Sequence, residues 1–220
     1  VKVVLSGTGG DELFGGYPWR YYRGATAKNF GQYIDDYYLY WQRLIDNKFI
    51  KQFFQPCWNE VKDVWTRDIF ESVFSNHSNS LERPEDYINH SLYFEAKTFL
   101  HGLFVVEDKL SMAHSLETRV PFMDNDLVDF AMQCPINLKL NKLDKVVRVN
   151  ENEVGKKTNQ YYNNTNDGKQ ILRDMMSSYI PKDIVESKKQ GFSSPDASWF
   201  RGESIRFVES KLLNQHSPIY

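Results

Sequence analysis

The chain has 220 residues, of which 41% are apolar and 25% charged, with a formal net charge of −2. That length can hold one sizeable core, or one core plus an appendage, and the composition is that of an ordinary soluble globular protein. A charge so near balance provides no broad field to recruit nucleic acid or an anionic membrane. No apolar run approaches a membrane span, and no segment resembles a signal peptide.

Val1 to Leu5 holds four apolar residues and reads as a short buried strand. Because a lone buried strand cannot satisfy its backbone, its sheet neighbours are expected upstream of Val1, which makes the chain a fragment. A glycine-rich turn follows, Ser6-Gly7-Thr8-Gly9-Gly10, with Asp11 and Glu12 where a helix would begin. Backbone N–H groups at such a helix start can face an anion. The two carboxylates would repel a bare phosphate, so the loop suggests a phosphate or pyrophosphate site assisted by a divalent cation, with Asp11 as its candidate ligand. The competing reading is that Asp11 and Glu12 only cap the helix.

Leu13 to about Lys28 reads as helical, interrupted at Gly15-Gly16 and Pro18. From Phe30 to about Asn47, Tyr33, Ile34, Tyr37, Tyr38, Trp41, Leu44 and Ile45 recur at amphipathic spacing. Shorter helices are expected over 49–54 and 59–74. The aromatic residues crowding this half are read as helix packing rather than a base-stacking surface. Arg83-Pro84 opens the next helix, with Glu85 and Asp86 complementing its dipole, and this helix runs towards Met112. Val120-Pro121-Phe122 breaks the pattern, and Asp124 is placed to cap a helix through Met132. Lys142 to Gly168, rich in Asn, Lys and Thr, reads as a flexible insertion. Helices follow over 170–180 and 181–185, then a polar loop over 188–195 and a helix bearing Trp199 and Phe200.

Cys57 and Cys134 lack metal-ligand spacing and read as buried free thiols of a reducing cytoplasm, so the sequons at Asn76, Asn89 and Asn163 are chance matches. Two further charged clusters stand out. In Glu107 to Asp124, charges interleave with core residues and must pair or face a polar cleft; Glu117–Arg119 or Asp108–Arg119 pairs are as acceptable as ligand contact. His114 lies near Ser111 and Ser115, but no nucleophile-elbow pattern accompanies them. In Ser187-Lys188-Lys189-Gln190-Gly191-Phe192, one ammonium could sit over a phosphate, although paired lysines are usually a solvated surface.

In this order, Ser6-Gly7-x-Gly9-Gly10-Asp11-Glu12-Leu13-Phe14-Gly15-Gly16-Tyr17, Met112-Ala113-His114-Ser115-Leu116-Glu117-x-Arg119-Val120-Pro121-Phe122-x-Asp124 and Lys188-Lys189-Gln190-Gly191-Phe192 resemble the synthetase domain of the glutamine-hydrolysing asparagine synthases. The resemblance implies an α/β parent fold of the adenine nucleotide alpha hydrolase (ATP-pyrophosphatase) type, a parallel sheet flanked by helices. Residues 1–220 would be its C-terminal portion, predominantly α-helical with a short N-terminal strand. The N-terminal glutaminase domain and the pyrophosphate-binding loop would lie in a missing N-terminal half. It also implies a cytoplasmic ligase that adenylates a carboxylate with ATP and Mg²⁺, then lets glutamine-derived ammonia displace AMP. The fragment alone is expected to be inactive.

Carried over by position, Ser6, Gly7, Thr8, Gly9 and Gly10 lie by the nucleotide and Asp11 holds Mg²⁺. Lys189 neutralises charge on the transferred phosphate region, with Lys188 the fallback, and Glu117, Arg119 and Asp124 support the site. Thr8 departs from the Glu or Asp usual there, and a hydroxyl cannot serve as a base. This departure opens two alternatives to asparagine formation: an amidotransferase for a sugar acid of surface polysaccharide, or a noncatalytic helical scaffold.

Overall fold

The computed structural model describes residues 1–42, 45–77, 81–141, 167–187, 202, 204–214 and 216, with backbone alone for 22–25. Residues 1–187 form one compact unit and 188–220 a second.

The first unit is mostly helical around one short parallel strand pair. β1 (Val3–Leu5) pairs with β2 (Glu117–Arg119) in the register Val3 to Glu117, Val4 to Thr118 and Leu5 to Arg119. Parallel strands cannot be joined by a tight turn. Here the crossover is the whole helical body between Ser6 and Leu116. Among the described residues β1 has one neighbour, downstream, at a segment read only as a charged cluster. The expectation of a buried strand is corrected: Val3 is 40% and Leu5 74% exposed, while Val4 between them is half-buried.

After β1 come α1 (Gly10–Phe14), α2 (Pro18–Ala25), α3 (Phe30–Trp41), α4 (Asn47–Phe53), α5 (Trp58–Val61) and α6 (Thr66–Ser72). Asn29 caps α3, its side chain accepting from Gln32 N–H at 2.9 Å. The buried face of α3, with Tyr33, Ile34, Tyr37 and Tyr38, packs on Phe70 of α6, on Phe74 just after that helix, and on Tyr87 and Phe94. The aromatic run is therefore a core, as its spacing predicts. Phe49 and Phe53 on α4, with Phe54 and Trp65 at the ends of α4 and α6, depart from that reading and stay exposed, because these short helices lack a long enough amphipathic face to bury them.

α7 (Pro84–Phe94) begins with Pro in its first turn and Asp86 accepting from Arg83 N–H, then continues through a π turn (Glu95–Phe99) into α8 (Leu100–Ala113). A π turn inserts one residue into the helical repeat. This one coincides with Glu95, which is fully buried. α9 (Asn125–Gln133) is capped by Asp124, whose Oδ1 accepts from the N–H groups of Asp126 and Leu127. α10 (Ile136–Lys139) closes against α2 and α7 through Ile136, Leu140, Tyr21, Ile88 and Leu92.

Residues 142–166 of the expected insertion lie outside the described residues. At its end, Asp167 Oδ1 accepts from the N–H groups of Asn141 and Gly168, both at 2.8 Å, so the chain returns to where it left. α11 (Gln170–Met176) and α12 (Lys182–Val185) follow. The second unit contributes one described helix, α13 (Ser204–Leu212); the helix expected around Trp199 and Phe200 lies outside the described residues. Both cysteines are free thiols, Cys134 buried and Cys57 half-buried. Among the described residues, no helix is long and apolar enough to cross a membrane.

Candidate functional site

The glycine-rich loop leaves the sheet at Ser6, whose N–H still donates to Arg119 O at 2.8 Å. Gly9, in the left-handed region at φ 98°, turns the chain into α1 with no side-chain cap. The reading of Asp11 and Glu12 as caps is thereby replaced: Glu12 is buried, and Asp11 points towards the return of the insertion. A Cβ on Gly10 would lie 3.1 Å from the Phe122 ring, and one on Gly9 would lie 3.4 Å from Met123. The loop thus rests on the Pro121–Met123 turn that follows β2. A Cβ on Gly7 would meet nothing within 4 Å, so the other side of the loop is open.

Strand pairing therefore brings two distant motifs to one place. The Thr8 hydroxyl donates to Glu107 Oε2 at 2.8 Å, a bond from the loop to α8 spanning 99 positions. Ser6 Oγ lies 2.8 Å from Thr8 Oγ1 and accepts from Thr8 N–H at 3.2 Å. Within the central motif, Glu117 and Arg119 pair with each other at 2.8 Å on the exposed face of β2, and Asp108 pairs with Lys109. Asp124 acts as the α9 cap. β2 and the following turn place these three motif residues beside the loop, and Arg119 meets it through the backbone, its carbonyl accepting from Ser6 N–H.

Two features were missed from the sequence. The first is the end of the insertion: Gly168 lies so close to Gly15 that a Cβ would come 2.6 Å from Gly15 O, and Lys169 N–H donates to Phe14 O at 3.0 Å. Lys169 Nζ then reaches Asp11 Oδ1 at 2.9 Å. Only the isolated glycine inside a polar stretch hinted at this approach. The second is a buried ionic cluster joining α2, α3 and the π turn after α7. Arg20 lies 3.4 Å from Glu95, which also accepts from Tyr37 and Tyr21, and the Arg20 guanidinium stacks 3.9 Å above the Tyr17 ring. Burial pushes the Glu95 carboxyl up to about 7, against the lowering pull of Arg20 and the Tyr37 hydrogen bond. Burial, then Asp11 and Glu12, raise the Tyr17 hydroxyl. The signal was available: Ile88, Leu92 and Glu95 share one helical face, so a carboxylate stood at a core position.

Lys188 and Lys189 lie outside the described residues. No group of three or more His, Cys, Asp or Glu arranged to hold a metal occurs among the described residues.

Comparison with known proteins finds relatives over the whole length of the chain. The asparagine synthetase (glutamine-hydrolyzing) 1 of Bacillus subtilis (strain 168) is 24% identical over 253 residues, covering 100% of this chain and 35% of that protein. The asparagine synthetase (glutamine-hydrolyzing) 3 of the same organism is 26% identical over 193 residues, covering 86% of this chain and 26% of that protein. The chain thus spans about a quarter to a third of the length of these curated relatives. No solved structure matches it. The asparagine synthase family model matches residues 1–220. With that match over its whole length, the chain belongs to the asparagine synthase family.

Proposed function

We propose that the chain serves the synthetase half of an ATP-dependent amidotransferase that adenylates a carboxylate and lets glutamine-derived ammonia form the amide. Aspartate is the first acceptor to consider, following the names of the relatives. The observation that carries this reading is the parallel β1–β2 pairing, which sets the glycine-rich loop and the central motif side by side at one sheet end. Ligands of open α/β sheets bind at that end, outside the carboxyl ends of the strands. The parent fold proposed is accordingly the adenine nucleotide alpha hydrolase type.

In this reading Ser6 to Gly10 approach the ATP substrate through backbone, which the absence of side chains at Gly7, Gly9 and Gly10 allows. Asp11 is the proposed Mg²⁺ ligand. A single carboxylate oxygen suits Mg²⁺, which takes one or two carboxylates and completes its shell with water and substrate phosphate. When bound, the ion would neutralise phosphate charge. Lys169 would have to share or release Asp11 for that. Lys189, with Lys188 as fallback, is the proposed ammonium over the transferred phosphate region.

The test uses the full-length protein that contains this chain. Pyrophosphate release with ATP, glutamine and each of a panel of acceptor acids, aspartate and sugar acids included, should appear with aspartate and fall at least tenfold in Lys189→Ala. No release with any acid would overturn the reading. Release with a sugar acid alone would overturn the aspartate assignment. Unchanged release in Lys189→Ala would remove that lysine from the site.

A further inference from the structure

Proton counting fixes the direction of the hydrogen bonds between loop and α8. A hydroxyl has one proton, and that of Thr8 goes to Glu107 Oε2 at 2.8 Å. Thr8 Oγ1 can then only accept from Ser6, so the 2.8 Å contact between them is Ser6 donating to Thr8. Ser6 Oγ accepts from Thr8 N–H at 3.2 Å and keeps one further lone pair. The chain runs one way: Ser6 hydroxyl, Thr8 hydroxyl, Glu107 carboxylate. It starts on a loop whose outer side is open at Gly7, and it ends on a half-buried helix position.

Resting on the amidotransferase reading above, we propose that Glu107 is the proton acceptor of the loop, reached from the ligand side through Ser6 and Thr8. A hydroxyl cannot keep a second proton at neutral pH, but a hydroxyl bonded to a carboxylate can receive one while passing its own on. When nitrogen adds to the activated acyl carbon it carries a proton in excess. That N–H bond breaks as a new O–H bond forms at Ser6 Oγ. The Ser6 proton moves to Thr8 Oγ1, and the Thr8 proton moves to Glu107 Oε2. Both hydroxyls are regenerated, their hydrogen bonds reversed, and the net change is one N–H bond lost and one carboxylic O–H gained. Glu107 acts through Thr8 and Ser6, so it is a positioning residue of the relay, not a group in contact with the reacting atoms.

The experiment uses the full-length protein with ATP, acceptor acid and an ammonium salt in place of glutamine, reading amide and pyrophosphate separately. Glu107→Gln should lower the ratio of amide to pyrophosphate at least tenfold, and Thr8→Val, which cuts the relay from the other end, should do the same. The double variant should be no worse than either single one, as two parts of one relay require. Asp108→Asn, on the adjacent exposed position, should keep the wild-type ratio. Thr8→Glu combined with Glu107→Gln, which moves the carboxylate onto the loop, should restore amide formation. A merely structural Glu107 would not be rescued in that way. A wild-type ratio in Glu107→Gln, or no recovery in the relocated variant, overturns the relay while leaving the amidotransferase reading intact. Wild-type protein that releases no pyrophosphate overturns that reading, and the relay falls with it.

Discussion

Lys169 Nζ stands 2.9 Å from Asp11 Oδ1, linking the end of the 142–168 segment to the first turn of α1. The two side chains are 32% and 24% exposed, so the pair is only partly screened. Lys169 is held for this contact by its backbone, which sits in the left-handed region at φ 57° and donates to Phe14 O. If Asp11 takes Mg²⁺, the ammonium and the ion compete for one carboxylate. Lys169→Met should then lower the Mg²⁺ concentration for half-maximal pyrophosphate release by the full-length protein about two- to fivefold, the range a partly exposed ion pair supplies. An unchanged or higher requirement would show that the two do not compete.

Three glycines should respond differently to alanine. At Gly16 a Cβ would lie 2.0 Å from Asp11 Oδ1 and 2.7 Å from Asp11 Cβ, so rotating the carboxylate cannot relieve the clash. At Gly168 the φ of +94° disfavours any side chain, and the Cβ would press on the Gly15 carbonyl. Gly102, inside α8, meets nothing within 4 Å. Urea unfolding should show Gly16→Ala and Gly168→Ala destabilised by about 2 kcal/mol or more. Gly102→Ala should gain roughly 0.5–1 kcal/mol from helix propensity. Equal effects at all three positions would contradict the packing described here.

The contrast between these positions shows which features were legible in the sequence. Local rules served well wherever the cause was local: the Asp124 cap, Pro84 in the first turn of α7, and the amphipathic stripe of α3 were all visible as spacing. The three motifs of the candidate site were visible as well, but not their arrangement. β2 is three residues long and mostly charged, so no apolar alternation announced it. Without β2, nothing predicted that Thr8 would meet Glu107 or that Gly10 would rest on Phe122. The contacts of Gly168 and Lys169 were equally hidden, because they follow a stretch whose composition reads as insertion. Such contacts depend on long-range pairing, which periodicity does not encode.

The buried Glu95 should make stability depend on pH in a direction opposite to that of most carboxylates. Its folded-state value of about 7 lies above the unfolded 4.5, because burial penalises the charged form more than Arg20 and the Tyr37 hydrogen bond favour it. Between those values the folded chain holds a proton that the unfolded chain has released. Linkage then requires stability to fall as pH rises through this window. The contribution is fully present below 4.5 and lost by about 7, and the span corresponds to the order of 3 kcal/mol. Glu95→Gln keeps an uncharged side chain of the same shape at all pH values and should remove this slope. Urea unfolding at pH 5 and pH 7.5 gives the check: the wild type should lose stability relative to Glu95→Gln over that interval. Parallel changes in the two proteins would mean that Glu95 is already ionised at pH 5, held as a carboxylate by Arg20 in spite of its burial.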